Sequence, residues 1–224
     1  MSAIAVKEVK ERVIADNDAV AESLRGKLKE KKVFLVNLMA SPGAGKTTTL
    51  VRTIDALKDE YKIGVMEADV DSSVDAETIS KTGAKVIQLH TGGSCHMDAD
   101  MTERGLDSLG IEDLDVVFLE NIGNLVCPAE FDIGAAKKVM ILSVPEGHDK
   151  PLKYPLMFTI SDCLLINKMD TAPVFDFDMD LLKEYVGKLN PTMPIYPVSS
   201  LKGDGFEEWI SWLKNEIKTW KEEA

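Results

Sequence analysis

No stretch of the chain holds the roughly 20 consecutive apolar residues that a helix needs to cross a bilayer, so no membrane span is expected. Basic residues are short: 26 lysines and arginines face 38 aspartates and glutamates, and the formal net charge of -12 opposes sequence-independent binding to nucleic acid. Cysteine is scarce as well. Cys95, Cys127 and Cys163 are too few, and odd in number, for a disulfide framework, so their chemistry has to lie elsewhere. There is no internal repeat, no low-complexity tract and no linker rich in proline or glycine that would separate one domain from another. The first twenty residues, MSAIAVKEVKERVIADNDAV, carry a charged helical pattern rather than a secretion signal, and the expected compartment is the cytoplasm.

With 45% hydrophobic and 29% charged residues over 224 positions, the composition is that of a globular protein long enough to bury a full core. Val6, Val9, Val13, Val20, Leu24 and Leu28 mostly recur at helical spacing, which predicts an amphipathic N-terminal helix lying against the main body. Dense apolar runs follow at 31–40, 62–67, 84–89, 114–120, 138–144, 162–167 and 195–198, with helix-compatible segments between most of them. That alternation predicts an α/β fold with a mainly parallel sheet flanked by helices. The expected organisation is a helical arm over residues 1–30 and one nucleotide-binding body over 31–224. Phe206, Trp209, Ile210, Leu213, Ile217 and Trp220 line one face of a last helix, and their period marks them as packing residues rather than a ligand platform.

SPGAGKTT, residues 41–48, follows the first strand-like run and opens a helix, which is the context a phosphate-binding loop requires. Gly43, Ala44 and Gly45 let the backbone curl so that amides point at phosphate oxygens, and the helix N-terminus adds a favourable dipole. Lys46 is expected to reach the terminal phosphates, Thr47 to ligate magnesium, and Thr48 to complete the motif. Ala40 stands where the usual pattern has its first glycine, so Gly43 and Gly45 have to carry the turn.

NKMD, 167–170, closes another apolar run. A carboxylate at Asp170 can accept from both the ring N–H and the exocyclic amine of guanine, a donor pair that adenine lacks, so GTP is favoured over ATP. Asn167 belongs to the same motif, and Lys168 is expected to lay its stem along the nucleotide. SSLK, 199–202, is placed like a second base-contacting loop, with Ser200 and Lys202 as candidates. The acidic stretch EADVDSSVDAE, 67–77, supplies carboxylates for magnesium and for a switch segment: Asp75 first, Asp69 as the strand-end alternative, and Asp71 between them. LENIGN, 119–124, places Glu120 and Gly123 where an acid holds magnesium through water and a glycine amide meets the γ-phosphate. No glutamine follows to orient water, which predicts slow intrinsic hydrolysis.

TGGSCHMD, 91–98, sets Cys95 beside His96, one of only three histidines, and Cys127 lies four residues beyond Gly123 in NLVCPAEFD. Thiolate and imidazole suit zinc or nickel. Three ligands fall short of a closed tetrahedral set, which two copies of the chain could complete across a symmetric interface. Cys163, inside SDCLLIN, fits a buried hydrophobe instead.

Taken together, SPGAGKTT, TGGSCHMD, ENIGNLVCPAEFD and INKMD resemble the HypB family, GTPases that help insert nickel into [NiFe] hydrogenase, over about residues 33–202. The resemblance implies a P-loop NTPase fold of the SIMIBI class, a nickel metallochaperone that dimerises with GTP, and cofactors GTP or GDP, Mg2+, and Ni2+ or Zn2+. It assigns Lys46, Thr47, Asp75 and Glu120 to phosphate and magnesium, Asn167 and Asp170 to guanine, and Cys95, His96 and Cys127 to an interface metal. Lys153, in DKPLKYP, becomes a candidate for contacting the opposite subunit's nucleotide. A HypA-type nickel chaperone and a hydrogenase large-subunit precursor are the implied partners. The first 30 residues contain no cysteine or histidine, so the N-terminal nickel sites of some members are not supported here. The competing readings are a urease-type nickel GTPase, which has Cys-Pro-His where this chain has Cys127-Pro128-Ala129, and a metal-binding scaffold whose GTPase activity is incidental.

Overall fold

A computed structural model describes residues 3–69 and 74–224, with the side chains before Val13 and that of Val74 left outside the description. Asp71 and the side chains of Val6 and Val9 therefore lie outside the described residues. Strands β1 (Phe34–Ala40), β2 (Ile63–Asp69), β3 (Lys85–His90), β4 (Val116–Glu120), β5 (Lys137–Ser143), β6 (Cys163–Asn167) and β7 (Ile195–Pro197) form one sheet. Its order is β3-β2-β4-β1-β5-β6-β7 and every ladder is parallel. The helices are α1 (Ala3–Glu30), α2 (Lys46–Leu57), α3 (Val74–Ser80), α4 (Ala99–Leu109), α5 (Cys127–Glu130), α6 (Lys150–Lys153), α7 (Pro155–Ile160), α8 (Met179–Leu189) and α9 (Phe206–Glu222).

β1 is buried along its whole length, as a central parallel strand with helices on both faces must be. It starts at Phe34 rather than Lys31 because α1 runs to Glu30 and Lys32 takes a left-handed turn, φ 58°, before the chain extends. On one face of the sheet Phe34, Val36 and Leu38 meet α2 and α9; on the other, Leu35 meets α1 and α4, and Met39 meets α7 and α8. Phe206, Trp209, Leu213 and Ile217 of α9 are buried in the first of these cores, each contributing about 1.5–3 kcal/mol. The aromatic stripe is packing, and Trp209 satisfies its indole N–H on the Thr53 hydroxyl at 3.0 Å.

Among its described side chains the N-terminal helix docks through Ala21, Leu24 and Leu28, which are buried, whereas Val13, read from the sequence as belonging to the same stripe, is half exposed. Among the described residues no helix is long and apolar enough to cross a membrane. The chain leaves β1 toward β2 on one side and enters β5 on the other, so the strand order reverses around β1. In such sheets the crevice at the strands' C-terminal ends is where ligands bind.

Candidate nucleotide and metal site

The loop between β1 and α2 sits in that crevice. Ala40 is the last residue of β1, paired with Ile141 in extended backbone, so no glycine is needed there. The left-handed turns fall at Gly43, φ 74°, and Gly45, φ 96°. A Cβ on Gly45 would lie 2.4 Å from the Asn167 amide nitrogen, so this position excludes every other residue on two counts. Ala44 is buried, and Thr48 is exposed on α2.

Lys46, Glu67, Asp69, Asp75, Glu120 and Gly123 line a cleft of 310 Å³ beside the loop. The Thr47 hydroxyl donates to Glu120 at 2.8 Å. Glu67 and Glu120 are direct partners in the β2–β4 register, both buried, and one oxygen of each is buried without a hydrogen-bond partner. Two orphaned carboxylate oxygens and a hydroxyl beside a lysine form a donor set that fits a hard, oxygen-seeking cation such as magnesium. Burial pushes the Glu67 carboxyl up to about 8, helped by the Glu120, Asp69 and Asp75 charges and opposed by Lys46. Burial likewise raises Glu120 to about 7, against the pull of Lys46 and the Thr47 hydrogen bond.

These shifts have a sign. A carboxyl raised on folding binds its proton more tightly in the folded state, so its stabilising contribution is full below the ordinary value of 4.5 and is lost by about 8. The thermal midpoint of the nucleotide-free protein should therefore fall between pH 5 and 8. Glu67→Gln should flatten that slope and stabilise the protein at pH 8 by about 1–3 kcal/mol, since a neutral amide replaces a desolvated charge. A slope unchanged in the variant would contradict this assignment.

The segment 167–170 is held to the phosphate loop by side-chain bonds. Asn167 is buried, donates to the Ala44 carbonyl at 2.9 Å and accepts from the Ser200 amide at 3.0 Å. Lys168, in left-handed backbone at φ 61°, reaches over the loop and donates to the Gly43 carbonyl at 2.6 Å. Asp170 accepts from the Ser199 hydroxyl at 2.6 Å, and that bond holds its carboxyl below the usual range. Ser200 is buried against the Thr49 hydroxyl at 2.7 Å, while the side chain of Lys202 is exposed. Lys153 is exposed on α6 and pairs with Asp149 at 2.6 Å.

Cys95, His96 and Cys127 come together, with one ligand atom from each lying within 4.8 Å of the others. The sulfurs are 2.8 Å apart, and Cys95 Sγ is 3.7 Å from His96 Nδ1. Two thiolates on one tetrahedral zinc stand about 3.8 Å apart, so a small opening of the pair accommodates a metal. His96 stacks on Phe131, centroids 3.9 Å apart, and burial lowers its pKa toward the neutral, ligand-competent form. The hydrogen bond with Cys127, then burial, raises the Cys95 thiol. Cys163 is fully buried in the sheet core, as its surroundings in the sequence suggested.

Four contributors escaped the sequence reading. Glu67 stands in the sequence only as the first residue of the acidic stretch, and it is the register that sets it beside Glu120. Thr49, rather than the adjacent Thr48, tethers α2 to Ser200. Arg52 of α2 donates to the Ser200 carbonyl and, at 2.6 Å, to that of Leu201. Phe131 was inside the quoted NLVCPAEFD segment, but nothing local announced its ring contact. A larger cavity of 660 Å³ lies at the opposite edge of the sheet around Lys62, Lys85 and Asp115. Two of its polar groups are engaged elsewhere, Asp115 with Lys221 and Lys85 with the Gly110 carbonyl.

A parallel sheet ordered around β1, with a phosphate loop and an acidic cleft at its C-terminal edge, defines a P-loop NTPase fold. Residues 34–197 match the family described as CobW/HypB/UreG, nucleotide-binding domain. The hydrogenase maturation factor HypB of Rhizobium leguminosarum bv. viciae is 44% identical over 96% of this chain and 72% of its own length, and that of Escherichia coli K12 is 41% identical over 96% and 74%. The crystal structure of HypB from Helicobacter pylori in complex with nickel superposes with a TM-score of 0.86 at 37% identity, covering 91% of this chain and 96% of that one. The chain belongs to the HypB family of hydrogenase maturation factors. The signal recognition particle receptor FtsY from Elizabethkingia anophelis, at 16% identity and a TM-score of 0.54 over 87% of this chain and 72% of that one, shares the fold alone.

Proposed function

We propose that the protein is a GTP-hydrolysing nickel metallochaperone for [NiFe] hydrogenase maturation, in which GTP-dependent dimerisation controls a metal site at the interface. The observation that carries this reading is the position of the Cys95, His96 and Cys127 group, whose Cys127 lies four residues along the chain from Gly123. Gly123 abuts the phosphate loop so closely that a Cβ there would lie 3.0 Å from Pro42. A γ-phosphate entering beside Pro42 and Lys46 acts on that segment first.

GTP would lie with its phosphates on the amides of residues 43–48, Lys46 toward the terminal phosphate, and its base between Lys168 and Asp170, near Ser200 and Lys202. Thr47, Glu120 and Asp75 would hold magnesium, which neutralises charge on the phosphates when bound. With no glutamine after Gly123 to orient water, turnover is slow until the dimer or a partner assists. Nickel, or zinc in its place, is cargo on Cys95, His96 and Cys127, with the fourth position supplied from the second copy.

Exposed apolar side chains support self-association on this face. Val126 precedes α5, α5 packs against α7, and Leu156 of α7 and Leu152 of α6 are solvent-exposed. Lys153 follows Leu152 on α6 and would leave its pairing with Asp149 to contact the opposite nucleotide. The arm over residues 1–30 and the body over 31–224 act as one unit, the metal coming from a HypA-type chaperone and passing to a hydrogenase large-subunit precursor in the cytoplasm. Ala129 after Cys127-Pro128 favours this over the urease-type reading. Light scattering tests the switch: a dimer with a non-hydrolysable GTP analogue and a monomer with GDP are expected, and a protein of equal mass in both states would contradict it.

A further inference from the structure

The metal ligands lie on two separate segments, Cys95 and His96 on one and Cys127 on the other, and side-chain amides join these segments at both ends. Asn124 donates from Nδ2 to the Cys95 carbonyl at 3.3 Å and accepts at Oδ1 from the Val126 N–H at 2.9 Å. Asn17, on α1, accepts at Oδ1 from the Ala99 N–H at 2.9 Å and donates from Nδ2 to the Asp132 carbonyl at 2.8 Å. Asparagine is suited to this because it carries a donor and an acceptor on one short, planar group. One brace sits beside the sulfurs; the other ties residues just beyond His96 and Phe131, which stack on each other.

The two braces differ in what holds them. Asn17 is on α1 beside a docked stretch, where Ala21 and Leu24 are buried and Arg25 bonds the Ala135 carbonyl at 3.0 Å and Asp132 at 2.7 Å. Asn124 is on no helix. It follows Gly123, whose backbone abuts Pro42 of the phosphate loop, and its 3.3 Å bond to Cys95 is longer than the usual range. A shift of Gly123 would pass to Asn124 through one peptide unit and so act on its long bond to Cys95.

We propose that Asn17 and Asn124 are positioning residues for the metal ligands with divided roles: Asn17 is a fixed brace, and Asn124 transmits nucleotide state to Cys95 and Cys127. The inference rests on the proposed function above and names the residues through which its coupling runs. Groups that orient metal ligands are typically worth about 10–100-fold in affinity.

The test measures Ni2+ and Zn2+ affinities of the full chain by competition with a chromophoric chelator, in GDP and in a non-hydrolysable GTP analogue. Wild type, N17A, N124A and N124D are compared, with GDP affinity as the check that each variant is folded. N124D keeps the acceptor for Val126 and loses the donor to Cys95. N17A is expected to weaken metal binding about 10-fold or more in both states, leaving their ratio as in wild type. N124A and N124D are expected to bring the two states to one affinity. Retention of the wild-type ratio in both Asn124 variants, or of wild-type affinity in N17A, overturns the inference while leaving the proposed function standing. A wild-type protein whose metal affinity ignores nucleotide overturns the proposed function and the inference with it.

Discussion

Lys46→Ala is expected to slow GTP hydrolysis by at least about 10²-fold, the usual cost of removing one group aimed at charge that develops in the transition state. The side chain does two things at this site. In the proposed complex it would meet the phosphates, and its charge opposes the protonation of Glu67 and Glu120 on the cleft wall. Without it both carboxyls hold their protons more tightly and compete better with magnesium. The variant should therefore also require more magnesium for nucleotide binding and should fail to dimerise with the GTP analogue. Phosphate release and light scattering on one preparation check both effects. A variant that loses turnover yet still dimerises would separate the phosphate site from the dimer switch.

Asp170→Asn should lower GTP affinity by on the order of 10²–10⁴-fold and raise affinity for xanthosine triphosphate. The Ser199 hydroxyl fixes the Asp170 carboxylate and holds its pKa below the usual range, and in the proposed complex that carboxylate would accept from two adjacent donors of guanine. Asparagine sets a donor against the guanine amine, leaving both unpaired, whereas xanthine offers a carbonyl at that place. Displacement of a fluorescent GDP by each triphosphate measures the change, and an unaltered preference for GTP would remove Asp170 from base recognition.

The features of the fold and site that the sequence made legible are contiguous. SPGAGKTT, NKMD and the apolar runs are local patterns whose backbone geometry follows from a few neighbouring residues, and the sheet recovers all seven runs as strands. Even the Ala40 departure has a local cause, since extended backbone at the end of β1 makes no demand for glycine. What stayed hidden depends on strand order and on helix docking. Glu67 meets Glu120 because β2 lies next to β4, a pairing no spacing within either strand encodes. Asn17 and Asn124 are ordinary polar residues in sequence, and their bonds span 115 and 29 positions. The periodicity of α1 likewise carried no information about where the body ends, so Val13 kept the pattern without the burial.

The central claim is that nucleotide state governs a metal site built from Cys95, His96 and Cys127. Nickel and zinc affinity of wild type and Cys127→Ala, each with GDP and with a non-hydrolysable GTP analogue, tests it most directly. The account predicts that wild-type affinity or stoichiometry differs between the two nucleotides, and that Cys127→Ala lowers affinity by more than about 100-fold and erases the difference. Metal binding that is equal in both states and indifferent to Cys127 would contradict it.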